Sequence, residues 1–199
     1  MPDNAAHVLF DAAWALLKRG QADGKHAFST PVVATVTSAG EPRSRTLVLR
    51  KAERAAGTLW CYTDRRSQKA TDLAAPPAIM SWTFWDKRHR IQVNAAGPTA
   101  WLSQEQAAER FAALPKHSRK SYATLSAPGT AVSAYTDGLP NDWAERETEE
   151  TAYAAEHFGV LITTITRMDV LRLSRNGHER LRAERDAAEQ DFTLSWIVP

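Results

Sequence analysis

The sequence predicts an α+β protein built mainly of antiparallel strands, a barrel or sandwich with a few flanking helices. Short runs rich in β-branched and aromatic residues recur between turn residues, and no regular alternation of strands with long crossover helices interrupts them. With 199 residues and 43% hydrophobic content the chain can bury one sizeable core, so a single domain over residues 1–199 is expected.

The elements follow in order. Val8, Leu9, Ala12, Ala13, Leu16 and Leu17 fall at helical spacing, with Asp3 or Asn4 as N-cap and Gly20 just past the end, giving an N-terminal helix within residues 1–20. PVVATVTS, RSRTLVLRK and TLWCYT then read as a three-stranded antiparallel meander, with turns at AGEP and near AAG. RRSQKATDLAA reads as a short helix stopped by Pro76 and Pro77. AIMSWTFW and HRIQVNAAGPTAWL are two more strands, joined through Asp86 and Lys87. Ser103 and Gln106 form a capping box for a helix over QEQAAERFAAL, which Pro115 ends unless it starts another. Residues 126–157 hold a long Pro- and Gly-containing loop and then an acidic helix, DWAERETEETAYAAEH, its acids toward the start where the helix dipole favours them. Residues 158–199 return to strands: GVLITTITRMDVLRLS, a two-residue Asn176-Gly177 hairpin turn, HERLRAER, and DFTLSWIV with Phe192, Leu194, Trp196 and Val198 on one face. Six to eight strands are expected.

Several chemistries are refused. No run approaches the roughly 18 apolar residues of a membrane span, and the N-terminus lacks a signal-peptide pattern, so the expected address is the cytoplasm with no membrane partner. A single cysteine, Cys61, excludes an internal disulfide and reads as a buried thiol. The nine glycines are dispersed, so neither a dinucleotide fingerprint nor a P-loop can be written, and no G-x-S-x-G elbow exists. The six histidines never fall three or four apart, and no built-in metal site is expected. SWTFWDKRHR interleaves bases with aromatics as a single-strand binder would, but a net charge of +2 is weak for that role. Core or subunit-interface packing accounts for Trp82, Phe84 and Trp85 instead, and no nucleic-acid partner is expected.

Charge is uneven: residues 43–90 hold eleven Lys or Arg against four acids, and 141–157 hold six acids against one base. An anion belongs with the first group. Strand parity puts Arg43, Arg45, Leu47, Leu49 and Lys51 on one face and Ser44, Thr46, Val48 and Arg50 on the other. A ligand running along this strand, its anionic end near Arg45, would use both ends; the alternative is an edge strand charged against aggregation. Tyr62, Thr63, Ser67, Gln68 and Lys69 then gather hydroxyls and a lysine around a helix start, which suits a phosphate dianion. Gln92 offers a strand amide of the kind that suits a ring with carbonyls and nitrogens.

In this order, RTLVLRK, WCYTDRRSQK, RIQV before Gly97, and GHERLR before a last strand ending in proline, the chain resembles the pyridoxamine 5′-phosphate oxidase-like FMN-binding split barrels. The resemblance runs from about residue 30 to the end. It implies an antiparallel split β-barrel with flanking helices, FMN as cofactor, and a homodimer with FMN at the subunit boundary. It further implies that Arg45 and Lys69 hold the FMN phosphate, that Thr46, Leu47, Val48 and Arg50 run beside the flavin, and that Tyr62, Thr63, Gln68, Gln92 and Arg180 complete the cofactor site. Two departures touch that site: Arg50 stands where the oxidase has a lysine, and Gln68 where it has an arginine. At the substrate phosphate the family tyrosine and arginine are replaced by Arg110 and Leu114, and the tail arginine by Asn176, leaving Ser118 and His178 as substrate contacts. Each lost charge-assisted bond is worth about 1.5–3 kcal/mol, so pyridoxamine phosphate is not the expected substrate. The expectation is an FMN-dependent oxidoreductase, oxidase or reductase, in which the cofactor carries the redox chemistry and no general base is required. The alternatives are a flavin- or deazaflavin-dependent reductase and a non-catalytic FMN- or haem-binding protein.

Overall fold

The computed structural model describes residues 4–186, 188 and 191–199; Asp3, one of the two expected helix caps, lies outside them. Helix α1 (Asn4–Ala22) buries Ala6, Leu9, Phe10, Ala13, Trp14 and Leu17, while Val8 is exposed. The helix runs through Gly20 instead of ending there. A side chain at that position would meet the backbone of Phe28 at 2.6 Å, so this glycine serves a close approach and not a cap.

Among the described residues ten strands follow, in chain order β1 (Val32–Val36), β2 (Pro42–Thr46), β3 (Lys51–Glu53), β4 (Thr58–Asp64), β5 (Ile79–Asp86), β6 (Ile91–Trp101), β7 (Phe158–Thr164), β8 (Arg167–Arg172), β9 (Glu179–Glu184) and β10 (Thr193–Trp196). Between them lie α2 (Gln68–Asp72), α3 (Gln104–Ala112) and α4 (Lys116–Arg119). Every ladder is antiparallel. One half of the sheet runs β10-β9-β8-β6-β5-β1-β2, and β3, β4 and β7 form the other, joined to it through β6. The sheet does not close, which is the split-barrel architecture expected.

Two strands read as continuous are divided. RTLVLRK leaves the β1 ladder after Thr46 and joins β4 only at Lys51. Between them Leu47 N donates to Pro31 O, Leu49 N to Ser29 O and Arg50 N to Trp60 O, so residues 47–50 bridge the two halves and the meander is not flat. Side-chain alternation persists across the bridge, with Leu49 buried and Val48 and Arg50 exposed. The second division separates β7 from β8 at Ile165–Thr166, opposite the point where β6 changes partners from β8 (91–96) to β7 (99–101).

Two helical or turn expectations also change. The β8–β9 hairpin has a six-residue connection, 173–178, because Leu173 N is taken by Arg90 O and the ladder ends at Arg172. The acidic segment forms only a 3-10 turn, Glu149–Glu156, where the Glu150 carboxylate accepts from Glu147 N and the Thr151 hydroxyl donates to Thr148 O, side-chain bonds that compete with an α-helical ladder. Ser103 caps α3 by accepting from Gln106 N at 3.3 Å, as expected, and Pro115 starts α4.

The main core lies beneath α1 and includes Leu9, Leu17, Phe28, Trp82, Phe84 and Met168. A second, under α3, holds Phe111, Tyr122, Phe158 and Val160. The bridge 47–50 crosses where they meet, with Leu47 packed on the first and Tyr62 on the second.

Candidate cofactor and substrate site

At that junction lies a cleft of about 300 Å³. One wall is the bridge, with Thr46, Leu47, Val48 and Arg50; the end of β4 supplies Tyr62, Thr63 and Asp64, and Ser67 and Lys69 form the floor. Thr30 and a third segment, with Ser121, Tyr122 and Pro128, complete it. Of the expected cofactor residues, seven line this one cleft.

The floor is cationic and hydroxyl-rich. Lys69 Nζ donates to Thr63 Oγ1 at 2.8 Å and to Ser67 Oγ at 3.0 Å. Burial lowers the Lys69 pKa, and repulsion from Arg45 lowers it further, against the weaker pull of Cys61, Asp64 and Asp72. Asp64 is already engaged by Arg66, which holds both of its carboxylate oxygens and ties Thr124 to them. A desolvated ammonium flanked by two hydroxyls suits a phosphate group. Helix α2 has only five residues, so the side chains make this site and the helix dipole expected there adds little.

Arg50 is the second cation of the cleft lining, and Arg110, on α3, lies outside that lining. Arg50 lies over the Tyr62 ring at 5.0 Å, and Arg110 over the Trp60 ring at 4.9 Å, with Lys51 on Trp60 at 4.6 Å. Among the described residues Lys51 is ion-paired, with Glu53, while Arg50 and Arg110 are in no ion pair. Burial pushes the Tyr122 phenol up to about 12, opposed by Arg50, so it stays protonated at neutral pH. Cys61 is buried behind the cleft floor and pushed up to about 12 by burial, so it remains a thiol.

The other expected residues lie elsewhere. Arg45 turns to the opposite side of β2, donating to Thr35 Oγ1 at 2.8 Å and facing Asp72 at 3.8 Å; it reaches Lys69 only through charge. Gln68 lines a separate depression with Arg43 and Asp72. Ser118 sits half-buried on α4, away from the cleft lining, and exposed His178 accepts from Ser174 N within its hairpin at 3.2 Å. Gln92 and Arg180 lie on the outward sheet face, in one lateral row Trp85–Gln92–Leu171–Arg180 set by strand register. Thr46 belongs to the neighbouring row on that face, Thr46–Val32–Thr83–Asn94–Asp169–Arg182.

Thr30, Asp64, Ser121, Tyr122 and Pro128 were not anticipated. Tyr122 and its neighbours carry no local signal of a site beyond one: residues 121–136 contain no charged residue.

Residues 11–103 match the family model described as pyridoxamine 5′-phosphate oxidase, FMN-binding domain. The chain is 29% identical over 115 residues to the pyridoxine/pyridoxamine 5′-phosphate oxidase of Alcanivorax borkumensis, covering 58% of this chain and 50% of that one. It is 36% identical over 87 residues to the enzyme of the same name from Deinococcus deserti, covering 44% and 39% respectively. The match therefore spans half or less of these relatives' length. In fold it is similar to a pyridoxamine 5′-phosphate oxidase-related FMN-binding protein of Nostoc punctiforme, with a TM-score of 0.76, 21% identity and 95% and 96% of the two chains covered. It is also similar to PhzG of Burkholderia lata, solved with tetrahydrophenazine-1-carboxylic acid, with a TM-score of 0.68, 16% identity and 100% and 94% covered.

FMN fits the residues present: its phosphate answers the uncompensated charge of Lys69 between two hydroxyls, and the apolar bridge offers a wall to a flat ring. Residues 11–103 thus resemble the FMN-binding domain of pyridoxamine 5′-phosphate oxidase, and the whole chain shares the split-barrel fold of the oxidase-related proteins.

Proposed function

We propose that this protein is a homodimeric FMN-dependent oxidoreductase acting on a small planar substrate with a single anionic group such as a carboxylate, and not on pyridoxamine phosphate. The observation that carries the substrate class is Arg50, stacked on Tyr62 without an ion partner in the same cleft as the separate cation Lys69. Arg110, stacked on Trp60 of the same strand, is a second arginine without an ion partner, outside the cleft lining. Lys69 and Arg50 allow two anions, the cofactor phosphate and a substrate group. The Tyr62 ring beneath Arg50 favours a flat partner.

FMN, when bound, supplies hydride or electron transfer. The chain's own residues bind and orient: Lys69, Thr63 and Ser67 hold the phosphate, and residues 46–50 give the ring its wall. Protonated Tyr122 offers a hydrogen-bond donor, and Arg50 favours negative charge in the cleft, which makes it the residue that tunes the potential.

The position of the expected cofactor residues supports the dimer reading. Along the sheet, Gln92 is three strand spacings from β2 and Arg180 five, roughly 14 and 24 Å at about 4.8 Å each. On this reading a second copy would bring such residues to the cleft mouth.

The test is FMN uptake followed by turnover. Wild type should take up about one FMN per chain, and Lys69→Ala should weaken binding by about 10- to 100-fold, the equivalent of one charge-assisted bond. Small flat carboxylates that can lose two electrons, themselves being oxidised, should then reduce the bound flavin, or their oxidised counterparts should reoxidise it, with KM raised in Arg50→Ala and Arg110→Ala. Failure to take up FMN sinks the flavoprotein reading. Tight FMN without turnover favours a store, and a deazaflavin requirement favours the reductase alternative.

A further inference from the structure

Residues 125–138 form a loop whose foot is tightly held and whose residues 128–137 are exposed. At the foot Leu125 N donates to Gly138 O at 2.7 Å, Arg66 holds the carbonyl and hydroxyl of Thr124, and the Tyr153 hydroxyl donates to Ala123 O at 2.7 Å. Beyond it, all ten residues 128–137 are exposed. Val132 is 58% and Tyr135 96% exposed, with Leu125 at 70%. A loop of this size ordinarily packs on its own side chains. In this one every residue from 128 to 137 is left to solvent in the single chain.

Its composition is poor in charge, with Asp137 the one charged residue of 128–137. Sixteen consecutive residues, 121–136, carry no charge in a chain that is 24% charged, where a solvated stretch of that length would hold about four. Exposed Val132 and Tyr135 in a stretch with a single charge are the kind of residues an interface core uses.

The root of the loop identifies what covers it. Pro128 lines the cleft together with Val48, and Val48, Val32, Ile79 and Trp85 are exposed apolar residues, the last three on the outward face that carries Gln92 and Arg180. On the homodimer reading above, on which this inference rests, a second copy presents that face to the cleft mouth. It then lies against the root of the loop. We infer that residues 128–137 are a dimerisation arm that closes over the second copy, packing Val132 and Tyr135 on its outward sheet face, with the reciprocal contact made by symmetry.

The experiment compares wild type, Val132→Asp/Tyr135→Asp and the apolarity-preserving Val132→Ile/Tyr135→Phe by sedimentation across a dilution series, with hydrogen exchange of residues 128–137 and FMN titration in parallel. Because both side chains are exposed in the monomer, neither variant should lose thermal stability as a monomer. The expected result is a dimer dissociation constant raised about 10-fold or more in the aspartate variant and unchanged in the conservative one, with arm amides protected only in the dimer. A wild-type dimer that the aspartate variant matches, with arm amides exchanging freely, overturns the arm and leaves the homodimer standing. A wild type that remains monomeric at micromolar concentration with FMN bound overturns both.

Discussion

Lys69 stands in the cleft with two hydroxyls for partners, and burial first, then repulsion from Arg45, lowers its pKa below 10.5. A bound phosphate reverses that pressure and raises the pKa again. Binding at a pH above the lowered value therefore requires proton uptake and weakens as pH rises. FMN affinity should be flat from about pH 6, where the phosphate completes its second ionisation, and fall on the alkaline side before 10.5 is reached. Riboflavin, which lacks the phosphate, should show no such decline, and fluorescence titration at graded pH reads both. In the free protein the sign runs the other way. A depressed lysine costs stability while it is charged in both states, and the cost fades as pH rises through the folded value toward the unfolded one. Lys69→Met should thus raise the melting temperature of the FMN-free protein and abolish most of the FMN-induced increase. This much of the site was legible because its residues are close in sequence: a strand, its neighbour, and a hydroxyl–lysine cluster. Arg45 lies outside the cleft lining, beside Asp72 of the helix that carries Lys69, because parity tells which faces two residues share and not which face meets the ligand.

Elements were legible where their cause is local and misread where it is distant. The caps, the proline stops and the alternation of strand faces are written in adjacent residues. The divisions of two strands are imposed by partners far away: Pro31 and Ser29 capture the bridge, and β6 exchanges one neighbour for another at Gly97. A Cβ at Gly97 would approach the Thr164 carbonyl oxygen to 1.8 Å, a backbone contact that no rotamer relieves. Gly97→Ala should therefore destabilise by about 3 kcal/mol or more, a fall of roughly 6–12 °C in melting temperature. The β5–β6 turn gives a second expectation. Asp86 accepts from Arg88 N at 2.8 Å, His89 N at 3.0 Å and pairs with His89 Nδ1 at 2.7 Å. Burial pushes its pKa up, but these bonds more than offset it and hold it below 3.8. A depressed carboxyl contributes stability above its unfolded pKa and loses it as pH falls through the folded one. Asp86→Ala should cost about 1–3 kcal/mol at neutral pH, with the difference from wild type shrinking below pH 3.8 in thermal melts.

At the scale of the molecule, the cofactor residues expected from sequence divide into two groups that one chain keeps apart, the cleft group around Lys69 and the outward row of Gln92 and Arg180. Sequence order cannot register that division, because residues in one motif series can be completed in trans as well as in cis. Subunit complementation separates the two. A chain with Lys69→Ala has a damaged cleft and an intact face; a chain with Gln92→Ala and Arg180→Ala has the converse. If the site is shared, each homodimer binds FMN weakly at both sites, while the mixed dimer combines the damaged parts into one site and the intact parts into the other. One tight FMN per mixed dimer is expected, read from the flavin absorbance of heterodimers isolated by two different affinity tags. If each chain builds its own site, every site in the mixed dimer carries one lesion and no tight binding returns. Restoration of half the sites by mixing two defective chains requires residues from both copies at one cofactor, so this outcome would place FMN at the boundary independently of any resemblance.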